Sequence, residues 1–212
     1  MTVIGLTGSI ASGKSLVAEV LKEKGAVLID ADVVAREVVE PGTEGWRQIR
    51  TEFGDAILKP DGTVNRKELG NMVFASPGLL KKLNNIVHPI IEKEVIGKIN
   101  LFRAGSVNGN EVMVIDAPLL IEAGMHRLVD EVWVVDIPHE VRVRRLMERD
   151  RLTREQALGR IKSQMPAEEK KKYAGIVIDN SGDRHDTRKA VAELWERRFG
   201  KPGVETVEKT KN

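Results

Sequence analysis

Several features that often reveal a protein's class are missing from this chain of 212 residues. Cysteine is absent, which excludes disulfide bonds, thiolate metal ligands and a cysteine nucleophile. No apolar run approaches the roughly 20 residues that a membrane-spanning helix requires. The opening segment, Met1–Leu6, carries no positively charged leader of the signal-peptide kind and is typical of a strand. We therefore expect a cytoplasmic protein that does not engage a membrane.

Aromatic residues and an excess of either charge are also scarce. Aromatic residues make up 4% of the chain, and 34 Lys and Arg residues face 32 Asp and Glu residues, for a formal net charge of +2. Proteins that bind single-stranded nucleic acid usually combine a basic groove with interleaved aromatic rings, so we expect no nucleic-acid partner. Hydrophobic residues at 41% and charged residues at 31% are globular values, which excludes a disordered or fibrous chain.

Short β-branched runs alternate with longer stretches of helical periodicity. Five runs are predicted to be strands: Thr2–Thr7, Ala26–Asp30, Glu111–Ile115, Glu131–Asp136 and Gly175–Asp179. The first three are nearly continuous apolar runs, as in strands that helices cover on both faces. The pattern predicts an α/β fold with a doubly wound, parallel, five-stranded sheet.

Two helical stretches interrupt this alternation. The predicted core of a single domain, 1–200, comprises residues 1–32, 111–137 and 174–200. The first insertion, about 33–110, contains no convincing strand, and the second, about 138–173, is helical and strongly basic. Residues 201–212 lack large apolar side chains apart from two valines and are predicted to fray.

Local signals predict where helices begin inside the insertions. Ser76-Pro77 combines an N-cap residue with proline at the first helical position. His88-Pro89 is predicted to open a further long helix in the same insertion. Thr153 and Gln156 have the spacing of a capping box, which predicts a new helix inside the second insertion.

The segment Gly8–Ser15, GSIASGKS, fits the phosphate-binding pattern G-x-x-x-x-G-K-[ST]. Gly8 and Gly13 allow the backbone to turn close to a phosphate, so that successive N–H groups can point inward. Lys14 would place a cation over the β- and γ-phosphates, and the Ser15 hydroxyl is a hard oxygen ligand for Mg²⁺. Because a predicted strand precedes the segment and a helix follows it, phosphate binding is favoured over a chance glycine-rich turn.

The loop alone does not select a reaction, since kinases, GTPase switches and motor ATPases share it. The chain lacks the Asn-Lys-x-Asp motif that recognises guanine, and no Asp-x-x-Gly motif follows the third strand. Both absences disfavour a GTPase switch. A compact domain with two helical insertions suits a small-molecule kinase, whose insertions hold the acceptor and cover the phosphates. A non-catalytic nucleotide-binding regulator and a nucleic-acid-dependent ATPase are the alternatives from other classes.

Acidic residues follow the second and third predicted strands. Asp30 and Asp32 come after the second strand and are expected beside the phosphate loop, at the carboxyl edge of the sheet. Asp32 is the candidate that orients the attacking hydroxyl and accepts its proton, although either residue could instead cap the next helix. Asp116 ends the third strand, where it could serve the metal environment or cap a loop.

Five segments spread over nearly the whole chain together resemble the dephospho-CoA kinase family. They are Gly5–Gly8 running into Gly13–Ser15, Asp30–Asp32 continuing to Ala35-Arg36, His88-Pro89, Asp116–Glu122 and Ile178–Gly182. Residues 142–164 resemble the family's lid, with Arg145, Arg149, Arg160 and Gln164 in register. The resemblance implies a P-loop kinase fold with a helical acceptor-binding insertion and a helical lid. It also implies transfer of the ATP γ-phosphoryl group, with Mg²⁺, to the ribose 3′-hydroxyl of dephospho-CoA.

The same resemblance implies roles for individual residues. Asp32 takes the position of the catalytic base, and Lys14 and Arg145 lie beside the transferring phosphate. The residues implied to bind ATP are Gly8, Ala11, Ser12, Gly13, Lys14, Ser15 and Leu16, with Ser15 also the Mg²⁺ ligand. The residues implied to bind the acceptor are Asp32, Arg36, His88, Asp116 and Leu119. For His88, the alternative that it only fixes a helix start before Pro89 stays open.

Two further expectations concern the lid and the departures from the family pattern. On a helix, Arg142, Arg145 and Arg149 share one face, which predicts a basic stripe toward the phosphates. Ser9 and Ala11 stand where relatives often have glycine, so we expect a slightly stiffer loop, and Gly175 stands where an aspartate is common. The nearest rival function is a kinase for another nucleoside, nucleotide or sugar acceptor.

Overall fold

The computed structural model describes residues 1–105, 109 and 111–200. Its five strands are β1 Thr2–Gly8, β2 Val27–Asp30, β3 Val112–Asp116, β4 Glu131–Asp136 and β5 Ile176–Asp179. They form one parallel sheet in the order β2-β3-β1-β4-β5. The five predicted strands are confirmed, with ends that differ by no more than one residue. The predicted fraying of residues 201–212 concerns residues outside the described ranges.

α-Helices connect every pair of consecutive strands except β3 and β4, between which only a 3-10 helix lies. The α-helices are α1 Lys14–Glu23, α2 Ala31–Glu37, α3 Glu44–Phe53, α4 Arg66–Phe74, α5 Pro77–Gly105, α6 His139–Asp150, α7 Arg154–Lys162, α8 Ala167–Lys171 and α9 Arg184–Phe199. Short 3-10 helices occur at Asp55–Ile57 and Met125–Leu128. Within the described ranges, none of the helices combines the length and the apolar character needed to cross a membrane.

The sheet is buried on both faces, as the continuous apolar runs predict. Along β4, Val132 and Val134 belong to one hydrophobic cluster, whereas Trp133 and Val135 belong to the other. Helices α2 to α5 cover the first face, and α1 and α9 cover the second. This alternation follows from the two-residue period of a strand. The predicted doubly wound α/β fold is confirmed.

Helix α5 corrects one prediction and confirms another. It begins at Pro77, and the Ser76 hydroxyl accepts a hydrogen bond from the backbone N–H of Leu79 at 3.5 Å, as the Ser76-Pro77 signal predicts. The prediction that His88-Pro89 opens a new helix is wrong, because Pro89 lies inside this single helix. Proline removes one hydrogen bond from a helix interior. The helix continues because its apolar side packs against α2, α3 and α4 on either side of the proline.

The lid helices α6 and α7 form a small hydrophobic cluster of their own. Val143, Leu146 and Ala157 are buried in it, and Ile10 and Ala11 of the phosphate loop pack against it. The capping box predicted at the start of α7 is confirmed, with both reciprocal bonds between Thr153 and Gln156 present. The lid is therefore in direct contact with the phosphate loop.

Candidate active site

The carboxyl edge of the sheet carries an unusual concentration of acidic groups. Strands β2, β3, β4 and β5 end in Asp30, Asp116, Asp136 and Asp179, while the central strand β1 ends at Gly8. Asp30 lies opposite Asp116 in the pairing register, and Asp136 lies opposite Asp179. Like charges in register repel each other, so each carboxylate needs a compensating partner.

Asp116 obtains its partner from the phosphate loop. The Lys14 ammonium forms an ion pair with its carboxylate, which is 8% exposed. Burial raises the pKa of Asp116 above the ordinary value of a carboxyl group, although the neighbouring Lys14 acts in the opposite direction. The two alternatives for Asp116, a metal environment and a loop cap, stay predictions beside this ion pair. It holds the Lys14 ammonium at the carboxyl edge of the sheet.

The phosphate loop depends on its two glycines for different reasons. Gly13 adopts φ 82° and ψ 25°, the left-handed region that side chains disfavour. At Gly8, a Cβ atom would lie 2.6 Å from the Ser12 hydroxyl and 2.7 Å from the Val135 carbonyl oxygen. Ala11 also has a positive φ, 61°, without being glycine. The loop therefore stores backbone strain at Ala11, one of the two positions where relatives often have glycine.

The N-terminus of α1 presents backbone donors that find no acceptor among the described residues. The backbone N–H groups of Gly13, Lys14 and Ser15 make no hydrogen bond within the described ranges, and no side chain caps the helix. Unpaired N–H groups and the positive end of the helix dipole together favour an anion at this point.

A cavity of about 640 Å³ opens over this helix end. It is lined by every residue predicted to bind ATP, namely Gly8, Ala11, Ser12, Gly13, Lys14, Ser15 and Leu16. Asp32 and Pro118 line one side, and Arg145, Arg149 and Asn180 line another. We call it the nucleotide cavity.

A second cavity, of about 220 Å³, lies between α2, α5 and the segment after β3. Its lining is largely apolar and includes Leu119, with Asp32 of α2 and Asn84 and His88 of α5 as the polar residues. Burial lowers the pKa of His88 below the ordinary value of histidine, which favours the neutral imidazole. We call it the acceptor cavity. Two residues predicted to bind the acceptor, Arg36 and Asp116, line neither cavity.

Asp32 and Pro118 line both cavities. Helix capping at this point belongs to Asp30, whose carboxylate accepts the backbone N–H groups of Asp32 at 2.8 Å and Val33 at 3.3 Å. Asp32 is exposed in the first turn of α2, and its carboxylate has no partner among the described residues. Asp32 is thus free to contact a ligand, and it lies where the two cavities meet.

The predicted stripe of three lid arginines is wrong for Arg142. Its guanidinium is buried and donates to Asp136 at 2.8 Å and to the Ile137 carbonyl at 3.1 Å, because the carboxylate that ends β4 requires a counter-charge. Arg145 donates to the carbonyls of Asn180 at 3.0 Å and Gly182 at 3.5 Å. Of the three, only Arg145 and Arg149 line the nucleotide cavity.

Comparison with known proteins identifies the family. A sequence model of the dephospho-CoA kinase family matches residues 2–186. The dephospho-CoA kinase of Geobacter sulfurreducens is 47% identical over 199 residues, which cover 94% of this chain and 100% of that protein. The chain belongs to the dephospho-CoA kinase family.

Solved structures agree with this assignment. TT1252 from Thermus thermophilus matches with a TM-score of 0.77 and 33% identity, covering 94% of this chain and 98% of that one. The dephospho-CoA kinase from Campylobacter jejuni matches with a TM-score of 0.72 and 29% identity, covering 93% and 96%. The predicted family, P-loop kinase fold and enzyme class are confirmed, and the chain is a kinase that uses ATP.

Sequence reasoning gave no individual role to Asn180 or Lys170, and it placed Gln164 in the lid without giving it a contact. Asn180 donates to the Ser12 carbonyl of the phosphate loop at 2.6 Å, and Gln164 of the lid accepts the N–H of Ile10 at 2.9 Å. Lys170 is fully buried in α8 and pairs with Glu122. Asn180 and Gln164 lie within segments that resemble the family, which is the only sequence signal that could have drawn attention to them.

The departure at Gly175 from the usual pattern lies away from the nucleotide. Gly175 precedes β5, at the opposite edge of the sheet from the phosphate loop, and its N–H donates to the Val132 carbonyl. A Cβ atom there would lie 2.7 Å from the Glu131 side chain. An aspartate at this position would therefore crowd Glu131 and place a second negative charge beside it.

Proposed function

We propose that this chain transfers the γ-phosphoryl group of ATP to the ribose 3′-hydroxyl of dephospho-CoA, giving coenzyme A and ADP, the last step of coenzyme A biosynthesis. A bond forms between the hydroxyl oxygen and the γ-phosphorus, the bond from that phosphorus to the β,γ-bridging oxygen breaks, and ADP leaves. The observation that carries the proposal is the position of Asp32, which lines both the nucleotide cavity and the acceptor cavity.

On the nucleotide side, backbone donors and cations would hold the phosphates. The unpaired N–H groups of Gly13, Lys14 and Ser15 would face the phosphates, and the Lys14 ammonium, which pairs with Asp116, would place a cation beside them. Such a cradle acts mainly by positioning and by charge stabilisation, which is what phosphoryl transfer demands of a protein.

The residues present also suit Mg²⁺. No group of three or more His, Cys, Asp or Glu side chains in the described part of the chain could hold a metal ion by itself. Mg²⁺ usually keeps several waters and takes few protein ligands beside substrate phosphates, and the phosphate-loop serine or threonine is one such ligand. Ser15 is exposed and lines the nucleotide cavity, so its hydroxyl would be that ligand. When bound, Mg²⁺ would neutralise charge on the β- and γ-phosphoryl oxygens.

Asp32 would receive the proton of the attacking hydroxyl. Its carboxylate is exposed and unpartnered, whereas Asp30 is occupied in capping α2. A carboxylate at the junction of the two cavities can also align the hydroxyl with the γ-phosphorus.

The acceptor cavity would receive part of dephospho-CoA. Its apolar walls from α2 and α5 suit a base or a pantetheine chain, and Asn84 and His88 supply hydrogen bonds. Because burial favours the neutral form of His88, we infer that it acts as a hydrogen-bonding group rather than as a cation. Leu119 contributes to the same wall.

Arg145 and Arg149 would cover the phosphates from the lid. Arg145 is anchored to the segment after β5 by its two carbonyl contacts, so its guanidinium is held over the nucleotide cavity before ATP binds. A guanidinium can donate paired hydrogen bonds to phosphoryl oxygens. The cytoplasmic location and the absence of a nucleic-acid partner stay predictions.

A turnover assay with a panel of acceptors tests the function. ADP release would be measured with dephospho-CoA, adenosine, AMP, a sugar or no acceptor, and dephospho-CoA should give the highest kcat/KM. Asp32→Asn should lower kcat by about 10²- to 10⁴-fold, because the amide cannot accept the proton.

Asp30→Asn is the matched control. Asparagine caps a helix as well as aspartate does, so turnover should change little. Equal or better turnover of adenosine would favour a kinase for another acceptor. An equal fall in kcat for Asp30→Asn and Asp32→Asn would contradict the proposal that Asp32 is the base.

A further inference from the structure

Asn180 joins three elements of the nucleotide cavity. It directly follows β5, is 4% exposed, and its side-chain amide donates to the Ser12 carbonyl at 2.6 Å. Its amide oxygen accepts the Thr187 hydroxyl of α9 at 2.7 Å, and its backbone carbonyl accepts Arg145 at 3.0 Å. Its backbone N–H donates to the Asp136 carbonyl. Every polar group of this residue is therefore used.

The bond to Ser12 fixes the direction of one phosphate-binding donor. In a planar trans peptide the C=O and the following N–H point in opposite directions. When Asn180 holds the Ser12 carbonyl toward β5, the N–H of Gly13 must point the other way, into the nucleotide cavity. That N–H is one of the unpaired donors at the start of α1.

The orientation of the amide is itself determined by its surroundings. A backbone carbonyl only accepts hydrogen bonds, so the NH₂ end of Asn180 must face Ser12. The amide oxygen then faces the hydroxyl of Thr187, which is 3% exposed and lies 2.7 Å from this oxygen and 3.1 Å from the Asp183 carbonyl, so the amide oxygen is the nearer acceptor for its single proton. A side chain on Gly13 would collide with the Asn180 amide, so glycine at that position serves this contact as well as the left-handed backbone.

We propose that Asn180 is a positioning residue for phosphoryl transfer, which aims the Gly13 N–H at the phosphates of ATP and anchors Arg145 over them. The kinetic part of this inference rests on the proposed function, whereas the nucleotide-binding part does not. The two effects share one residue because its side chain reaches the phosphate loop while its backbone carbonyl reaches the lid.

Calorimetric binding of ADP and of dephospho-CoA tests the proposal. Asn180→Ala should raise the Kd of ADP about 10- to 100-fold, the value of a hydrogen bond to a charged group, and should leave the Kd of dephospho-CoA within about twofold. Thr187→Val keeps the volume of the side chain but removes the donor that orients the amide. It should raise the Kd of ADP about 2- to 10-fold, as expected for one neutral hydrogen bond.

Ser181→Ala is the control, because Ser181 is the next residue and, in the described part of the chain, hydrogen-bonds only to Asp179. Its ADP affinity should equal that of the wild type. Asn180→Ala keeps the backbone carbonyl that accepts Arg145, so kcat with dephospho-CoA should fall only because the Gly13 N–H is no longer fixed toward the phosphates. If Asn180→Ala does not fold, the Kd of ADP for Thr187→Val tests the proposal by itself.

Unchanged ADP affinity in the folded variants would overturn the proposal. Parallel losses of ADP and dephospho-CoA affinity with a lowered Tm would also overturn it, since they would mark a general structural role. The ADP measurement is independent of the acceptor, so a wrong acceptor assignment would show instead as a wild-type protein that binds ADP but does not phosphorylate dephospho-CoA.

Discussion

The buried ion pair between Lys170 and Glu122 should be among the most important polar contacts for stability. Lys170 has no exposed surface, and its ammonium donates to the Pro118 carbonyl at 2.7 Å and pairs with Glu122 at 2.9 Å. Glu122 also accepts the N–H of Met165 at 3.1 Å. The pair thus fastens the end of the lid to Pro118, a residue that lines both cavities.

Lys170→Met keeps the length of the side chain and removes the charge. Breaking a buried pair by removing one partner typically costs about 3–5 kcal/mol. Glu122 is 23% exposed and keeps the Met165 N–H, so part of its charge stays solvated. We therefore expect a loss near the lower end, about 3 kcal/mol in the free energy of unfolding, or about 6–12 °C in Tm for a domain of this size.

Urea and thermal unfolding measure this loss, and two variants serve as controls. Lys172→Met removes an exposed pair with Glu169 near the end of the same helix and should cost less than about 1 kcal/mol. The double variant Lys170→Met/Glu122→Leu removes both charges and should recover a substantial part of the loss. Equal losses for Lys170→Met and Lys172→Met, or no recovery in the double variant, would refute the reasoning.

Three further predictions follow from the site. Ala11→Gly should raise the free energy of unfolding by about 0.5–1 kcal/mol, because glycine relieves the left-handed strain at φ 61°, whereas Ala18→Gly inside α1 should lower it by about 1 kcal/mol in the same urea experiment. An NMR titration should place the pKa of His88 below the ordinary histidine value. Between the ordinary histidine pKa and the lower pKa of folded His88, the folded state then binds fewer protons than the unfolded state, so the free energy of unfolding should fall as the pH drops through this range. His88→Gln should remove this contribution from the pH dependence of unfolding. Arg145→Lys should lower kcat by at least about tenfold with little change in Tm, because an ammonium cannot reproduce paired bonds to phosphoryl oxygens, while Arg151→Ala should leave steady-state turnover nearly unchanged.

What sequence reasoning predicted well depends on local signals. The strands are continuous apolar runs, and the phosphate loop is a contiguous motif between a strand and a helix. The capping box at Thr153 and the N-terminus of α5 at Pro77 are also set within four residues. In each case the responsible atoms lie close together in the chain, so the pattern is visible in the sequence.

The failures arise from contacts that helical periodicity and capping signals do not show, whether the partner is near in the chain, as for Arg142, or distant, as for Asn180. Pro89 has the local appearance of a helix start, but packing against other helices keeps it inside α5. Arg142 shares a helical face with Arg145, yet the carboxylate at the end of β4 draws it away from the nucleotide. Asn180 acts through a bond to a residue 168 positions earlier, which no local pattern encodes.

The central position of β1 has a consequence for the order of events during synthesis. β1 pairs with β3 and β4 and not with β2, so the strand that carries the phosphate loop finds its partners only among residues beyond 111. At about 5–20 residues per second, the ribosome needs roughly 7–27 s to proceed from β1 to the end of β4. During that interval the apolar strand β1 has no partner strand. Its pairing with β3 and β4 joins residues far apart in the chain and therefore has a high contact order. The phosphate loop therefore becomes a binding site late in the synthesis of the chain, after most of the acceptor-binding helices have been synthesised.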